Sequence, residues 1–357
     1  MGGVEDGSRI AVLGAGAMGT ALAVHCARNG ADSVLLATDK DEAVVDVWRR
    51  GLPHPSLRMP FHHYVRCRPA IEWAAALPGA ALVFVAVSSG GLRRVLAQAA
   101  RIEAPGAIWV LATKGWEQDT LQTPSQVATD VLGNAPLVSL AGPALAAEIL
   151  AGSPTGILCA SRDQHARRRA AAALASPAVA AFTTSDVAGA ETAAAFKNVV
   201  AVAVGLAEGL SDRFGESALV ASFANARAAV FARGMLDMAA LVESQGGRPA
   251  TVLGLAGAGD LYVTCQHGRN GRFGRLLGSG ATVEGAVRSI GSTVEGVAST
   301  AAALRLAARA QLDLPTARAV DLALTEDLTG EQVSEQLWDL FLTVVSGSRT
   351  STDPQRG

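Results

Sequence analysis

The sequence predicts an α/β domain followed by an all-helical domain. In the first half of the 357 residues, short β-branched runs alternate with amphipathic stretches, which is typical of a parallel sheet covered by helices on both faces. From about Gly189 the strand pattern stops and only helical periodicity continues. We therefore expect an α/β domain over residues 1–188, a helical domain over 189–345 and a disordered polar tail over 346–357.

The predicted elements follow one another in order along the chain. Strands are predicted at residues 9–13, 33–36, 81–87, 108–112, 137–140 and 156–160, with helices between them at 18–29, 92–100 and 125–132. The second domain is predicted to contain helices at residues 191–209, 219–245, 298–310 and 331–345.

Composition excludes several classes of protein. The formal net charge of −2 gives no global field that would favour nucleic acid or an anionic membrane. The longest apolar runs, 80–87 and 199–207, are far shorter than the about 20 residues of a membrane span. The first residues lack the basic and apolar regions of a signal peptide, so we expect a cytoplasmic protein. The four cysteines form no CxxC pair, so neither disulfides nor a metal site is predicted.

A glycine-rich motif follows the first predicted strand and opens the first predicted helix. The segment from Gly14 to Gly19 reads GAGAMG and fits GxGxxG, with Gly16 at its centre and Ala17 and Met18 before the last glycine. Its glycines allow a tight turn, close approach of a pyrophosphate and packing of the helix on the strand, and the helix N-terminus favours an anion. The motif predicts a dinucleotide-binding, Rossmann-like doubly wound sheet; the alternative is a purely structural turn.

An acidic residue lies where such a fold contacts the adenosine ribose. Asp39 follows Gly19 by twenty residues, at the end of the second predicted strand. A carboxylate there accepts hydrogen bonds from a ribose 2′-OH and repels a 2′-phosphate, which favours NAD. Against this, Lys40 is adjacent and Thr38 could donate to a phosphate, so NADP remains the alternative.

Two lysines lie at chemically useful positions. Lys114 follows a predicted strand at the edge that faces the ligand crevice, where it could bind a substrate oxygen or simply be a surface lysine. Lys197 lies inside a long apolar helix, and ionised lysine is rarely buried without a reason. A desolvated amine can exchange protons near neutral pH; the alternative is a side chain that extends along the helix to solvent.

Two glycine-rich segments in the second half also carry polar side chains. Asp260 ends the apolar segment GLAGAG, which we expect to be a loop. Arg269 and Asn270 lie in the segment GRNGRFG, which we expect to be a turn whose guanidinium and amide donors suit a phosphate dianion. Turn formation alone is the alternative explanation for both segments.

Taken together, these segments resemble the NAD(P)-dependent glycerol-3-phosphate dehydrogenase family. The resemblance spans roughly residues 9–300 in the family's order, and it is carried by AVLGAGAMGTALA, ATKGWE, LAGPALAAEI, AAFKNVVAVAVGL, ARGMLDM, GLAGAGDLYVTC, GRNGRFGRLLGSG and STVEGVAST. It implies hydride transfer between a nicotinamide cofactor and C2 of sn-glycerol 3-phosphate or dihydroxyacetone phosphate.

The resemblance also implies roles for individual residues. Lys197 matches the catalytic lysine, with Lys114 and Asp260 assisting it. The implied substrate contacts are Lys114, Gly142, Asn198, Asp260, Thr264, Arg269 and Asn270. The implied cofactor contacts are Ala17, Met18, Ala146, Arg269 and Glu295. They join the cofactor residues expected from the glycine-rich motif and its spacing, which are Gly14, Gly16, Gly19, Thr38 and Asp39. We expect a homodimer that binds a small phosphorylated substrate and no nucleic acid.

The chain departs from the family pattern near the expected substrate pocket. Ala144 and Ala147 replace a hydroxyl residue and a lysine, three alanines at 193–195 replace a glycine-rich turn, and residues 210–223 include extra residues. The same chemistry on another small phosphorylated alcohol therefore remains an alternative. A non-catalytic dinucleotide sensor is a further alternative, although a sensor would have been free to lose Lys197, Lys114, Asp260 and Arg269.

Overall fold

The computed structural model describes residues 8–214, 224–291, 293–325 and 344. The chain divides into two compact units, Met1–Glu191 and Thr192–Gly357. The predicted helix at 331–345, apart from Val344, and the predicted tail at 346–357 lie outside the described residues, as do residues 215–223 of the expected extra segment and the start of the helix predicted at 219–245.

One sheet organises the first unit. Its strands are β1 (Arg9–Leu13), β2 (Asp32–Leu36), β3 (Arg66–Arg68), β4 (Leu82–Val85), β5 (Ile108–Leu111), β6 (Leu137–Ala141), β7 (Thr155–Ala160) and β8 (Val179–Thr184). They lie side by side in the order β3-β2-β1-β4-β5-β6-β7-β8. The chain moves outward from β1 to β3 and then returns to β4, so the carboxyl ends of β1 and β4 border the crevice where ligands bind in such sheets.

The six predicted strands are confirmed to within two residues at each end, and two strands were missed. β3 has three residues and β8 follows a helix that the sequence reading left unassigned. The predicted parallel sheet is confirmed except at one pair, because β7 pairs antiparallel with β6, while the other neighbouring strands are parallel. Alternation of strands with helices carries no information on the direction of a single strand, so the sequence could not show this reversal.

The strands are apolar on both sides because the sheet has a core on each face. Ile10 and Val12 of β1 belong to one core, and Ala11 and Leu13 belong to the other. Successive side chains of a strand point to opposite faces, so a strand buried on both faces reads as a continuous apolar run. This burial explains why the central strands were easy to recognise from sequence.

Helices cover the sheet of the first unit and build the second unit. The helices of the first unit are α1 (Ala17–Arg28), α2 (Glu42–Arg49), α3 (Trp73–Ala76), α4 (Ser89–Ala99), α5 (Pro124–Leu132), α6 (Ala146–Ala151) and α7 (Gln164–Leu174). The α-helices that follow are α8 (Val187–Phe214), α9 (Ala224–Ser244), α10 (Asp260–His267), α11 (Arg269–Gly278), α12 (Val283–Ile290), α13 (Glu295–Ala310) and α14 (Pro315–Thr325).

The second unit corrects both glycine-rich predictions. The segment expected to be a loop is a π-helical turn, Leu255–Gly259, that leads directly into α10. The segment expected to be a turn is the first part of α11. Its glycines serve helix packing, since a Cβ at Gly274 would collide with the carbonyl oxygen of Val202 on α8. The backbones of α8 and α11 can therefore lie in direct contact.

Helix α8 is long and apolar enough to satisfy the length and hydropathy of a membrane span. Within its Val187–Ser211 segment, however, 94% of the most apolar window is buried inside the protein. Core helices of globular proteins have the same composition. We therefore describe α8 as a core helix.

Candidate active site

The glycine-rich loop between β1 and α1 fits a dinucleotide. A Cβ at Gly19 would collide with the carbonyl oxygen of Gly14, so the helix can pack on the loop only with glycine there. A Cβ at Gly16 would instead meet nothing within 4 Å, so the loop faces open space at its centre. Helix α1 begins at Ala17 without a side-chain cap, which leaves its first N–H groups for an anion.

Two side chains form hydrogen bonds with the backbone of Ala15, inside this loop. Its N–H donates to Asp41 Oδ2 at 3.1 Å, and its carbonyl oxygen accepts a hydrogen bond from His54 Nε2 at 3.0 Å. His54 Nδ1 accepts from the backbone N–H of Ser56, so the ring hydrogen lies on Nε2. Burial lowers the pKa of His54, which keeps the ring neutral. Two residues that sequence reasoning missed therefore fix the shape of the phosphate loop.

Asp41 also holds the segment after β2. It lies at the N-cap position of α2, yet its side chain does not cap that helix. Instead, Asp41 Oδ2 accepts hydrogen bonds from Thr38 N at 2.8 Å and from Thr38 Oγ1 at 2.7 Å. The Thr38 hydroxyl hydrogen, which the sequence reading considered for a phosphate, is used inside the protein.

Asp39 lies in the loop after β2, as its position in the sequence indicated. Its carboxylate is paired with Arg94 of α4 through two hydrogen bonds, at 2.6 and 2.9 Å. These hydrogen bonds hold the pKa of Asp39 below its ordinary value. No local pattern indicated Arg94, which lies 55 residues away along the chain.

Lys114 and Gly142 lie together at the carboxyl edge of the sheet. Lys114 Nζ donates to the carbonyl oxygen of Gly142 at 3.3 Å. The two residues line one cavity together with Met18 of α1 and Ala144. Ala146, another expected cofactor contact, is the first residue of α6. In the first unit, the structure therefore brings an expected cofactor residue next to two expected substrate residues.

The second unit contains a buried lysine–carboxylate pair. Lys197 Nζ donates to Asp260 Oδ1 at 2.6 Å and to Thr264 Oγ1 at 2.8 Å. Lys197, Asp260 and Thr264 are only 7%, 2% and 6% exposed. The alternative of a lysine that reaches solvent along the helix is therefore excluded.

The hydroxyl group of Thr264 has a fixed orientation in this cluster. The Thr264 hydroxyl donates its hydrogen to the carbonyl oxygen of Asp260 at 2.6 Å, so its oxygen is free to accept from Lys197. The π-helical turn places Asp260 at the first position of α10, and Thr264 follows one turn later. π-helical turns often occur at functional sites.

A chain of amide hydrogen bonds joins α8, α11 and the start of α13. Asn270 Nδ2 donates to Asn198 Oδ1 at 2.8 Å, and Asn198 Nδ2 donates to Glu295 Oε2 at 3.1 Å. The N–H of Gly296 donates to Asn270 Oδ1 at 2.9 Å. These hydrogen bonds fix the orientation of each amide. They connect two expected substrate residues, Asn198 and Asn270, with an expected cofactor residue, Glu295.

Arg269 is the first residue of α11 and is exposed, next to the buried Asn270. It lines a cleft of about 340 Å³ together with His267, Arg272 and Arg275, all on α10 or α11. A helix N-terminus with an arginine at its first position suits a dianionic group.

Comparison with known proteins shows the family of the chain. Residues 9–167 match the NAD-dependent glycerol-3-phosphate dehydrogenase N-terminus, and residues 186–335 match the C-terminus of the same family. The chain belongs to the NAD-dependent glycerol-3-phosphate dehydrogenase family. The resemblance that the sequence motifs indicated is thereby confirmed.

Relatives and solved structures agree with this family membership. A glycerol-3-phosphate dehydrogenase [NAD(P)+] of Xylella fastidiosa is 36% identical over 331 residues, which cover 91% of this chain and 92% of the relative. The enzyme of the same name from Stenotrophomonas maltophilia is 37% identical over 327 residues, with 91% and 92% coverage. The crystal structure of glycerol-3-phosphate dehydrogenase from Coxiella burnetii has a TM-score of 0.82 and 29% identity and covers 93% of this chain and 99% of that chain.

Proposed function

We propose that the chain catalyses the NAD(P)-dependent interconversion of sn-glycerol 3-phosphate and dihydroxyacetone phosphate. The observation that carries this proposal is the buried contact of Lys197 with Asp260 and Thr264 in a chain of this dehydrogenase family. A buried charged lysine requires a partner, and a partner that is also hydrogen-bonded by its surroundings keeps the amine in one position. Such an amine is suited to transfer a proton to a substrate oxygen at a fixed point.

Lys197 is assigned the role of general acid and base. In the direction of ketone reduction, its ammonium group gives a proton to the oxygen at C2, and the resulting amine regains a proton from solvent. In the direction of oxidation, the neutral amine takes the proton of the C2 hydroxyl. Asp260 is assigned the role of orienting Lys197, since Asp260 Oδ1 lies 2.6 Å from the amine.

Substrate binding is assigned to several polar groups. In the second unit, Arg269 and Asn270 at the start of α11 are proposed to hold the phosphate. Asn198 is hydrogen-bonded to Asn270, and Thr264 is hydrogen-bonded to Lys197, so both are proposed to border the substrate. Binding energy from the phosphate then positions C2 for reaction. In the first unit, Lys114 beside Gly142 is proposed to polarise the C2 oxygen.

Cofactor binding is assigned to the loop after β1 and to the segments around it. The residues proposed to hold the dinucleotide are Gly14, Gly16, Ala17, Met18, Gly19, Thr38, Asp39, Ala146, Arg269 and Glu295. The bound nicotinamide supplies or accepts the hydride. The protein's contribution is to position the cofactor and to provide the proton.

A specific observation favours a second candidate substrate. Ala144 lines the same cavity as Lys114 and Gly142, so a methyl group stands where the family pattern has a hydroxyl. Loss of one hydrogen-bonding group at a pocket wall changes which phosphorylated alcohol fits best. The second candidate is therefore the same reaction on another small phosphorylated alcohol.

Steady-state reduction of a panel of phosphorylated ketones, with NADH and with NADPH, tests both candidates. We expect the highest kcat/KM with dihydroxyacetone phosphate. A higher value with another ketone would favour the second candidate, and no turnover with any member would indicate the non-catalytic sensor. We further propose that the protein is cytoplasmic and forms a homodimer. Analytical ultracentrifugation of the full chain tests the homodimer through the molecular mass.

A further inference from the structure

The loop that contacts the adenosine ribose in this fold is connected directly to the phosphate loop. The N–H of Gly14 donates to the carbonyl oxygen of Leu36, the last residue of β2, at 2.8 Å. Asp41 then holds Ala15 of the phosphate loop and Thr38 of the following loop with one carboxylate oxygen. Because these segments are fixed to each other, Asp39 lies at the end of the dinucleotide site where the ribose 2′ position is read.

Arg94 places a guanidinium group at this same point. It lies on α4, which follows β4, and β4 pairs with β1 on the side opposite β2. Its Nη1 and Nη2 atoms contact the two carboxylate oxygens of Asp39 at 2.6 and 2.9 Å. This is the planar two-bond geometry in which arginine binds a carboxylate, and arginine binds a phosphate in the same way.

The pair is accessible and can exchange partners at little cost. The side chains of Arg94 and Asp39 are 49% and 59% exposed. Exposed ion pairs contribute little to stability, so a ligand anion can replace the carboxylate on the guanidinium without loss of the fold. Lys40 is also exposed next to Asp39, whereas the Thr38 hydroxyl is occupied by Asp41.

We propose that Arg94 determines whether the 2′-phosphate of NADP is accepted, by pairing with Asp39 when NAD is bound and with the 2′-phosphate when NADP is bound. With NAD, the Asp39 carboxylate, held by Arg94, accepts a hydrogen bond from the ribose 2′-OH. With NADP, the guanidinium leaves Asp39 and binds the phosphate, and this new ion pair offsets the repulsion between the phosphate and the carboxylate. The proposal rests on the proposed dinucleotide-binding function and adds a residue that the sequence motifs do not contain.

Binding of two nucleotides that lack nicotinamide tests this role without any turnover. Calorimetric titration with adenosine 5′-monophosphate (AMP) and with adenosine 2′,5′-bisphosphate compares the absence and presence of the 2′-phosphate. We expect Arg94→Met to weaken binding of the 2′,5′-bisphosphate about 10- to 100-fold, which is typical of a lost charge-assisted contact, and to change AMP binding by less than about threefold. Asp39→Ala should strengthen binding of the 2′,5′-bisphosphate.

The control is Arg50→Met, because Arg50 is also an exposed arginine of the first unit and is paired with Asp46 on α2. It should leave both affinities unchanged. Equal weakening of both nucleotides by Arg94→Met, or no effect on either, would overturn the role of Arg94. Failure of the unsubstituted protein to bind either nucleotide would instead contradict the dinucleotide site itself, so the two outcomes are distinguishable.

Discussion

Lys197 Nζ lies 2.6 Å from Asp260 Oδ1, with both side chains buried in the second unit. Breaking such a pair by removing one partner leaves an uncompensated buried charge, which typically costs about 3–5 kcal/mol. Stability and chemistry are therefore linked at this point. A test of the lysine must separate loss of the proton donor from loss of the fold.

Lys197→Met should abolish turnover while dinucleotide binding is retained. The substitution removes the proposed proton donor, and loss of a general acid or base typically costs about 10²–10⁴-fold in rate. The measurements are kcat for ketone reduction and the dissociation constant of NADH. Retention of more than about half of the original kcat would show that Lys197 is not the proton donor.

The double variant Lys197→Met with Asp260→Asn is the matched control for stability. It removes both charges, so we expect it to unfold at a higher temperature than Lys197→Met alone while remaining equally inactive. Recovery of activity in the double variant would mean that the single variant had failed through its fold.

Arg269→Ala should raise KM for the phosphorylated substrate about 10- to 100-fold and affect the unphosphorylated analogue much less. The expected range corresponds to loss of one hydrogen bond to a charged group. Arg288→Ala provides a control, since Arg288 is an exposed arginine of the same unit that is paired with Glu284 on α12. Equal losses on both substrates would assign Arg269 to the cofactor or to the fold.

Two glycines of the phosphate loop should respond differently to alanine. At Gly19 the added methyl group meets the carbonyl oxygen of Gly14, so Gly19→Ala should lower the melting temperature. At Gly16 it meets no protein atom within 4 Å, so Gly16→Ala should fold normally and yet bind NADH more weakly, because the methyl group enters the space assigned to the pyrophosphate. Normal NADH binding by a folded Gly16→Ala protein would contradict this placement of the cofactor.

Acid should destabilise the protein in part through His54. Burial lowers the pKa of His54 from its ordinary value of 6.5, so the unfolded chain binds more protons than the folded chain as the pH falls below 6.5. The stability contributed by neutral His54 is therefore present above pH 6.5 and is lost progressively below it.

Thermal unfolding between pH 7.5 and 5, followed for the unsubstituted protein and for His54→Gln, measures this contribution. We expect the melting temperature of the variant to depend less steeply on pH. His25 has a pKa that burial also lowers, so part of the slope should remain. Identical slopes for the two proteins would exclude His54 as a contributor.

Sequence reasoning predicted the parts of the molecule that local patterns determine. The central strands are recognisable because burial on both faces requires continuous apolar runs, and Lys197 was recognisable because charge is rare in such a run. The glycines of α11 were interpreted as a turn, although Gly271, Gly274 and Gly278 recur at helical spacing. Gly274 and Gly278 face the backbone of α8, and Gly271 faces the backbone of α10. That spacing indicates a helix, and the prediction of a turn did not take it into account.

Other parts of the site depend on contacts between distant segments and could not be predicted. Asp41 and His54 contact Ala15 across 26 and 39 residues, and Arg94 contacts Asp39 across 55. No local pattern encodes such pairs, because they arise only when the sheet brings loops from different strands together. The π-helical turn before Asp260 is equally invisible, since its glycines are compatible with a loop.

Transfer of deuterium from nicotinamide to substrate tests the central claim most directly. Dihydroxyacetone phosphate is reduced with NADH or NADPH that carries deuterium on the transferring face of C4, and the product is analysed by NMR. The proposed reaction predicts glycerol 3-phosphate with one deuterium at C2 and none elsewhere, and no labelled product with Lys197→Met. Product without deuterium at C2, or oxidation of the cofactor without any glycerol 3-phosphate, would contradict it.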